Sequence, residues 1–193
     1  MKKLYDWVLG WADTPYGVPA LFIFSMAESS FFPIPPDPLL LALGLSRPKK
    51  SFLYATVCTV GSVIGGAIGY FIGVFFIESI GMKIIGFYGL ADKYSSMQAL
   101  YEEYNALVIL VAGISPIPYK VFTIAAGAFE VSFLTFILAS IAGRGFRFYL
   151  EGFLIYFFGE PIRTFIEAHM AKLAWAFAAL LVLGFVALKF IAQ

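Results

Sequence analysis

Phe32-Pro33-Ile34-Pro35-Pro36-Asp37 and Ser115-Pro116-Ile117-Pro118-Tyr119-Lys120 write the tripeptide Pro-Ile-Pro twice in one chain, each time inside a long apolar stretch. The first proline of each copy is followed eleven residues later by a glycine, Gly44 and Gly127, and four residues later by a charge, Asp37 and Lys120. Proline removes a backbone donor and clashes with the preceding turn, so Pro33 and Pro35, and again Pro116 and Pro118, end an apolar helix partway. Broken helices with charges at the break, in corresponding halves of a chain, point to the central site of a transporter.

Composition sets the solvent. The 193 residues are 61% hydrophobic and 13% charged, with a mean hydropathy of +0.89. Soluble domains carry roughly a quarter charged residues, so the chain reads as an integral membrane protein. A net charge of +1 provides no basic field for nucleic acid. The lone cysteine, Cys58, excludes an internal disulfide and a cysteine metal cluster, and its apolar surroundings make it a packing residue. His169, the single histidine, lies beside Lys172 in an amphipathic stretch and reads as solvated or interfacial. No metal-ligand spacing, Walker loop, dinucleotide fingerprint or nucleophile elbow is present, and Ser29 and Ser30 have no histidine nearby. No cofactor, metal or enzymatic activity is expected. Asp6 and Asp13 interrupt the stretch after Lys2 and Lys3, so no cleaved signal is expected.

Residues 18–32 make an apolar piece about 22 Å long if helical, short of the ~30 Å hydrocarbon layer. After the proline cluster, residues 39–45 form a second short piece that ends at Arg47-Pro48-Lys49-Lys50. Two pieces too short to span, joined by prolines, predict a re-entrant hairpin, tolerated where protein or water surrounds the irregular backbone. Residues 52–77 are the first full span, with Gly61, Gly65, Gly69 and Gly73 forming a small face on which the first hairpin is expected to sit. Residues 81–104 are more polar and are expected along a surface as amphipathic or loop structure.

The second half restates the first: an apolar piece at 105–114, the break, a return at 121–129, and a second span at 132–158. Residues 161–172 are amphipathic, and 173–191 are long enough to cross. Trp7, Trp11 and Trp175 read as interface anchors. A hairpin plus a span is an odd number of crossings, so the second copy enters from the opposite side. The expected fold is therefore an all-α polytopic membrane protein, 1–193, in one membrane domain. Repeat one covers about 15–80 and repeat two about 100–160, each a re-entrant hairpin plus a transmembrane helix in inverted relation, and 161–193 adds a C-terminal transmembrane helix. With a cytoplasmic N-terminus, Lys2, Lys3, Arg47, Lys49, Lys50, Arg163 and Lys172 lie inside, and Lys83 and Lys93 lie outside with Glu102, Glu103 and Glu130, in keeping with the positive-inside rule.

Five charges stand where a membrane segment tolerates few. Glu28 and Asp37 flank the first break, and Arg144, Arg147 and Glu151 share one face of the second span, at about 2.5–3.5 kcal/mol each. With Lys120 they are functional candidates. A structural reading stands beside that one, with Arg147 paired to Glu151 and Asp37 to Lys120 as internal glue.

Glu28, the run from Phe32 to Asp37, Gly65-x-x-x-Gly69-Tyr70 and Ala126-Gly127 resemble the DedA family, which shares its fold with eukaryotic VTT, or SNARE-associated, membrane proteins. The stretches Ser115 to Lys120 and Gly143-Arg144 look like its YqaA-type branch. The resemblance covers roughly residues 15–160. It implies paired re-entrant hairpins facing each other at the bilayer centre, and translocation of polyprenyl phosphate or phospholipid, in some bacterial members driven by the proton-motive force. Glu28 and Asp37 match the family's acidic pair. Many members carry two arginines in the second hairpin, whereas this chain has Lys120 near one position and Gly113 near the other. Arg144 and Arg147 are expected to supply the missing cations.

The expected function is thus translocation of a phosphate-headgroup lipid in a bacterial-type inner membrane, with Arg144, Arg147 and Lys120 binding the headgroup and Glu28 and Asp37 handling protons. Proton-coupled antiport of a small solute or ion, and a non-transporting assembly role, are the alternatives. No sequence feature assigns an oligomeric state.

Overall fold

Proline placement accounts for the helix ends on either side of the two breaks. In the computed structural model, which describes residues 14, 16–31, 35–115, 117–159 and 161, the helices are α1 (Gly17–Ser30), α2 (Asp37–Ser46), α3 (Ser51–Phe76), α4 (Met82–Phe87), α5 (Ala91–Ile114), α6 (Tyr119–Ala128) and α7 (Phe133–Gly159). No strand occurs among the described residues. Pro33, Pro116, the tryptophans Trp7, Trp11 and Trp175, His169, and the expected C-terminal helix 173–191 lie outside them.

Pro36 precedes α2, Pro38 stands in its first turn, and Asp37 brings negative charge to the helix N-terminus, where the macrodipole favours it. Ser115, the residue before Pro116, is extended, which ends α5. Pro118 then leads into α6.

The long helix differs from expectation. It does not stop near residue 77; a π turn at Ile77–Gly81 carries it into α4, making one helix, Pro48–Phe87, of 40 residues. At 1.5 Å per residue that is about 60 Å, twice the hydrocarbon layer. The stretch 81–104, expected along a surface as amphipathic or loop structure, is helical on both sides of one turn and mostly exposed, with Tyr101 buried. At that turn Gly89 sits at φ +63° while the Leu90 amide donates to the Ile85 carbonyl and the Gly89 amide to Gly86, a Schellman ending. The same motif ends α6, where the Val131 amide donates to Ala126 and the Glu130 amide to Gly127. There the left-handed position, φ +58°, falls to Glu130.

The glycine face of α3 seats more than the first hairpin. A Cβ at Gly61 would meet the Phe22 carbonyl of α1 at 2.7 Å, and one at Gly65 would overlap the Met26 carbonyl. Further along, one at Gly69 would strike Thr123 and one at Gly73 the Ile124 carbonyl, both on α6. One helix face therefore holds an arm from each break. Gly127 of α6 lies against the Tyr70 carbonyl in return, and Gly44 of α2 lies 2.9 Å from Ile155 of α7 by the same measure. Gly113 of α5 and Gly143 of α7 form a further close crossing.

Helices α3 and α7 run antiparallel. Gly152 lies near Ser51 and Ala55 at one end, and Tyr70 packs on Phe133 and Phe136 at the other. The Tyr70 hydroxyl donates to the Val131 carbonyl at 2.6 Å, tying α3 to the turn before α7. Two apolar clusters flank the middle. One joins Leu21, Leu40, Leu43, Tyr54, Cys58 and Phe148; the other joins Tyr70, Ile109, Tyr119, Ala126 and Phe136.

Candidate functional site

Between the two apolar clusters lies the polar centre, and α7 supplies its cations. Arg144 is 2% exposed. Its Nη2 donates to Glu28 Oε2 of α1 at 2.8 Å and its Nε to Ser62 Oγ of α3 at 2.6 Å. Ser29 Oγ donates to Glu28 Oε2 at 3.1 Å and lies 2.7 Å from Ser62 Oγ, so the two serines complete a ring around the ion pair. The guanidinium also lies over two rings, 5.0 Å from the centroid of Tyr119 and 4.7 Å from that of Phe148. A buried charge is stable when its donors are used and a counter-ion is close, and Arg144 has both.

Arg147, one turn further along α7, connects the two breaks. Its Nη2 pairs with Asp37 Oδ1 in the first turn of α2, and its Nη1 donates to the Ser115 carbonyl, at the end of α5, at 3.0 Å. One guanidinium therefore holds the first residue after one break and the last residue before the other. Thr123 Oγ1 of α6 donates to the Ser29 carbonyl of α1 at 3.2 Å, adding a second tie between the breaks. Glu151 Oε1 lies 3.6 Å from Arg147 Nε, an ion pair too long for a hydrogen bond.

All five unusual charges of the sequence thus meet. Glu28, Asp37, Arg144, Arg147 and Glu151 form one cluster, with Glu28 on Arg144, and Asp37 and Glu151 on Arg147. The cation in direct contact with Asp37 is Arg147. An arginine from α7 reaches both breaks at once. Lys120 is half-buried in the first turn of α6, and its carbonyl accepts from Thr123 Oγ1 at 2.9 Å. Pro35 and Pro118 stand at the described edges of the breaks. Cys58 is fully buried, as a packing residue should be, and accepts at its carbonyl from Ser25 Oγ at 2.7 Å.

Sequence reasoning missed Ser62, Ser29 and Tyr119. A signal existed for Ser62, a small polar residue beside Gly61 on the packing face of α3, where a hydroxyl has to find a partner. Tyr119 adjoins Lys120 in the repeated motif and donates its hydroxyl to Ser140 of α7.

Two helices, Pro48–Phe87 and Phe133–Gly159, are long and apolar enough to cross a membrane, and paired charges are buried beside them. That combination defines a helical integral membrane protein with an internal ion-pair centre. A family model described as the VTT domain matches residues 32–157, and the chain belongs to this family, the DedA group of membrane proteins associated with transport or lipid handling. An uncharacterized protein of Haemophilus influenzae is 34% identical over 186 residues, 96% of each chain. An uncharacterized protein of Histophilus somni is 32% identical over 96% of this chain and 97% of its own. One from Methanocaldococcus jannaschii is 23% identical over 68% of this chain and 79% of its own. No solved structure matches.

Proposed function

We propose that this protein translocates a lipid with an anionic phosphate headgroup across the bacterial inner membrane, coupled to protons. The observation that carries the reading is the Arg147 guanidinium held between Asp37 and the Ser115 carbonyl, one from each break. Arginine forks match phosphate oxygens as well as carboxylates. A headgroup entering between the breaks competes with Asp37 for Arg147 and with Glu28 for Arg144. A carboxylate displaced in a low-dielectric interior is neutralised by taking up a proton. Anion entry and proton uptake are then one exchange. Of the two carboxylates Asp37 is the more accessible, its side chain 20% exposed against 13% for Glu28. Lys120, in the first turn of α6, adds a cation for the headgroup, while the lipid tails stay in the bilayer.

In this reading the chain crosses the membrane several times with its N-terminus cytoplasmic, and the two breaks are re-entrant hairpins of an inverted repeat. Three features support it. The two long helices are antiparallel. The first arm of each repeat, α1 or α5, lies on a glycine of its own long helix, Gly61 or Gly143. The second arm, α2 or α6, puts its own glycine, Gly44 or Gly127, against the long helix of the other repeat.

Reconstitution in liposomes with labelled phospholipid and polyprenyl phosphate tests the proposal. Loss of a charge-assisted contact is worth about 1.5–3 kcal/mol, so Arg147→Ala and Asp37→Asn are expected to slow lipid movement by roughly tenfold to a hundredfold. Variant rates equal to wild type sink the mechanism. Proton-coupled solute movement without lipid movement points instead to an antiporter.

A further inference from the structure

We propose that the turn between α2 and α3 binds a resident anionic phospholipid, at a site separate from the ion-pair centre. Arg47, Lys49 and Lys50 put three cations into four residues, and all three are exposed. Among the described residues no carboxylate pairs with any of them. Just past Gly159, where α7 reaches this turn, the sequence adds Glu160 and Arg163, one charge of each sign. The patch therefore keeps the charge of its three cations.

The backbone beneath these cations is held in place. The Arg47 amide donates to the Leu43 carbonyl at 3.0 Å and the Lys50 amide to the Arg47 carbonyl at 2.8 Å. Pro48 opens a short 3-10 turn and fixes its own φ. A Cβ at Gly159 of α7 would meet Pro48 Cγ at 3.2 Å, so the end of α7 braces the turn. Cations presented from a fixed turn lose less freedom on binding than cations on a loose loop.

The apolar side of the site begins directly after the charges. Phe52 of α3 packs on Tyr156 and Tyr149 of α7, with ring centroids 5.3 and 6.2 Å apart. All three rings are 36–44% exposed. Thr56 Oγ1 lies 2.8 Å from the Tyr149 hydroxyl. Phe52, Thr56, Val60 and Ile64 recur at four-residue steps, so they share one face of α3, exposed throughout and headed by Lys49. Charge and apolar surface are thus continuous, and the border of the hydrocarbon falls between Lys50 and Phe52.

A ligand matched to this surface carries negative charge and hydrocarbon side by side. An anionic phospholipid does so, with its phosphate on the basic turn and a chain along the exposed face of α3. An acidic peptide meets the charges but has no tail for that face. Tyrosines with their rings in the apolar layer and their hydroxyls near the headgroups suit the same depth. The ion-pair centre is elsewhere: α2 has 10 residues, so Arg47 lies about 15 Å from Asp37 at its other end. The site does not require that the protein transport lipid.

Native mass spectrometry of the delipidated full-length protein, titrated with phosphatidylglycerol or with phosphatidylcholine of the same chains, tests this. Phosphatidylglycerol is expected to bind the more tightly. A Lys or Arg beside an anionic headgroup is worth about fivefold in affinity, so Arg47→Gln, Lys49→Gln and Lys50→Gln together should weaken the first phosphatidylglycerol by roughly a hundredfold. Phosphatidylcholine binding should stay as it was. Lys83→Gln with Lys93→Gln, at the far end of the long helix and beyond, should change neither. Equal affinity for the two lipids, or phosphatidylglycerol binding that survives the triple variant, overturns the proposal. So does displacement of the lipid by glycerol phosphate, which would make the turn a site for soluble anions.

In nanodiscs, phosphatidylglycerol with a photoreactive group in its chain should label wild type near Phe52 and Tyr156. Labelling confined to other helices overturns the proposal, and this arm decides the matter even if the triple variant fails to fold.

Discussion

The first break and the second are seated alike but carry different chemistry. Each puts an arm on the glycine face of α3, α1 at Gly61 and Gly65 and α6 at Gly73. The first break contributes the acids, Glu28 and Asp37, whereas the second contributes Lys120, the Tyr119 ring and the Ser115 carbonyl. The arginines belong to neither break; they come from α7 and reach across to both. Packing between the halves is therefore close to symmetric while charge is not. In the proposed transport reading that asymmetry is useful, since the two carboxylates can change partners without disturbing the helix seats.

The sharpest way to break the comparison is Arg144→Ala, which leaves Glu28 buried without its counter-ion. We expect a stability loss of about 3–5 kcal/mol, read by denaturant unfolding in mild detergent. Adding Glu28→Gln should recover part of it. Arg147→Ala should cost less, because Asp37 keeps 20% of its side-chain surface exposed against 13% for Glu28. Equal losses would mean that the two pairs are equally enclosed.

Next in size are the seats themselves. Gly65→Val and Gly73→Val should each cost about 1–3 kcal/mol, because in both a backbone carbonyl has to move, Met26 in one and Ile124 in the other. Gly86→Ala, with nothing within 4 Å, should instead gain about 0.5–1 kcal/mol by thermal melting. A tolerant Gly73 beside an intolerant Gly65 would confine the tight seat to the first break.

The smallest effect concerns how α6 ends. Gly89 and Glu130 occupy the same left-handed position in two Schellman motifs, and a side chain there costs about 1 kcal/mol. Glu130→Gly should raise stability by that amount, measured by thermal unfolding, and leave the ion pairs unchanged.

Much of this arrangement was legible in the sequence, because proline and glycine act locally. The breaks at Pro35 and Pro118, the spans and the glycine face all followed from residue type and spacing. The continuation through Ile77–Gly81 into α4 was not legible, since the more polar stretch from residue 81 reads as lying beyond the span and a π turn has no compositional mark. Polar residues such as Asp92 and Glu102 likewise hid the fact that 91–114 is one helix. Within the site, the charged residues stood out by their cost in a membrane, but their pairing did not. Asp37 and Arg147 are 110 residues apart, and the packing of α2 against α7 brings them together. Ser62 escaped notice because a serine among glycines looks like another small residue.

Gly61, Gly65, Gly73, Gly127 and Gly143 have one thing in common: each presents its bare Cα to a carbonyl oxygen of a neighbouring helix. Contacts of that kind are weak Cα–H···O bonds, made entirely between main chains. The instructions for assembling these helices are then written as missing side chains at a few positions. Outward residues such as Ile64, Ile68, Leu134 and Leu138 carry none of that information. They are free to be exchanged among apolar types, so the lipid-facing surface can be re-tuned to a different bilayer while the assembly underneath stays the same.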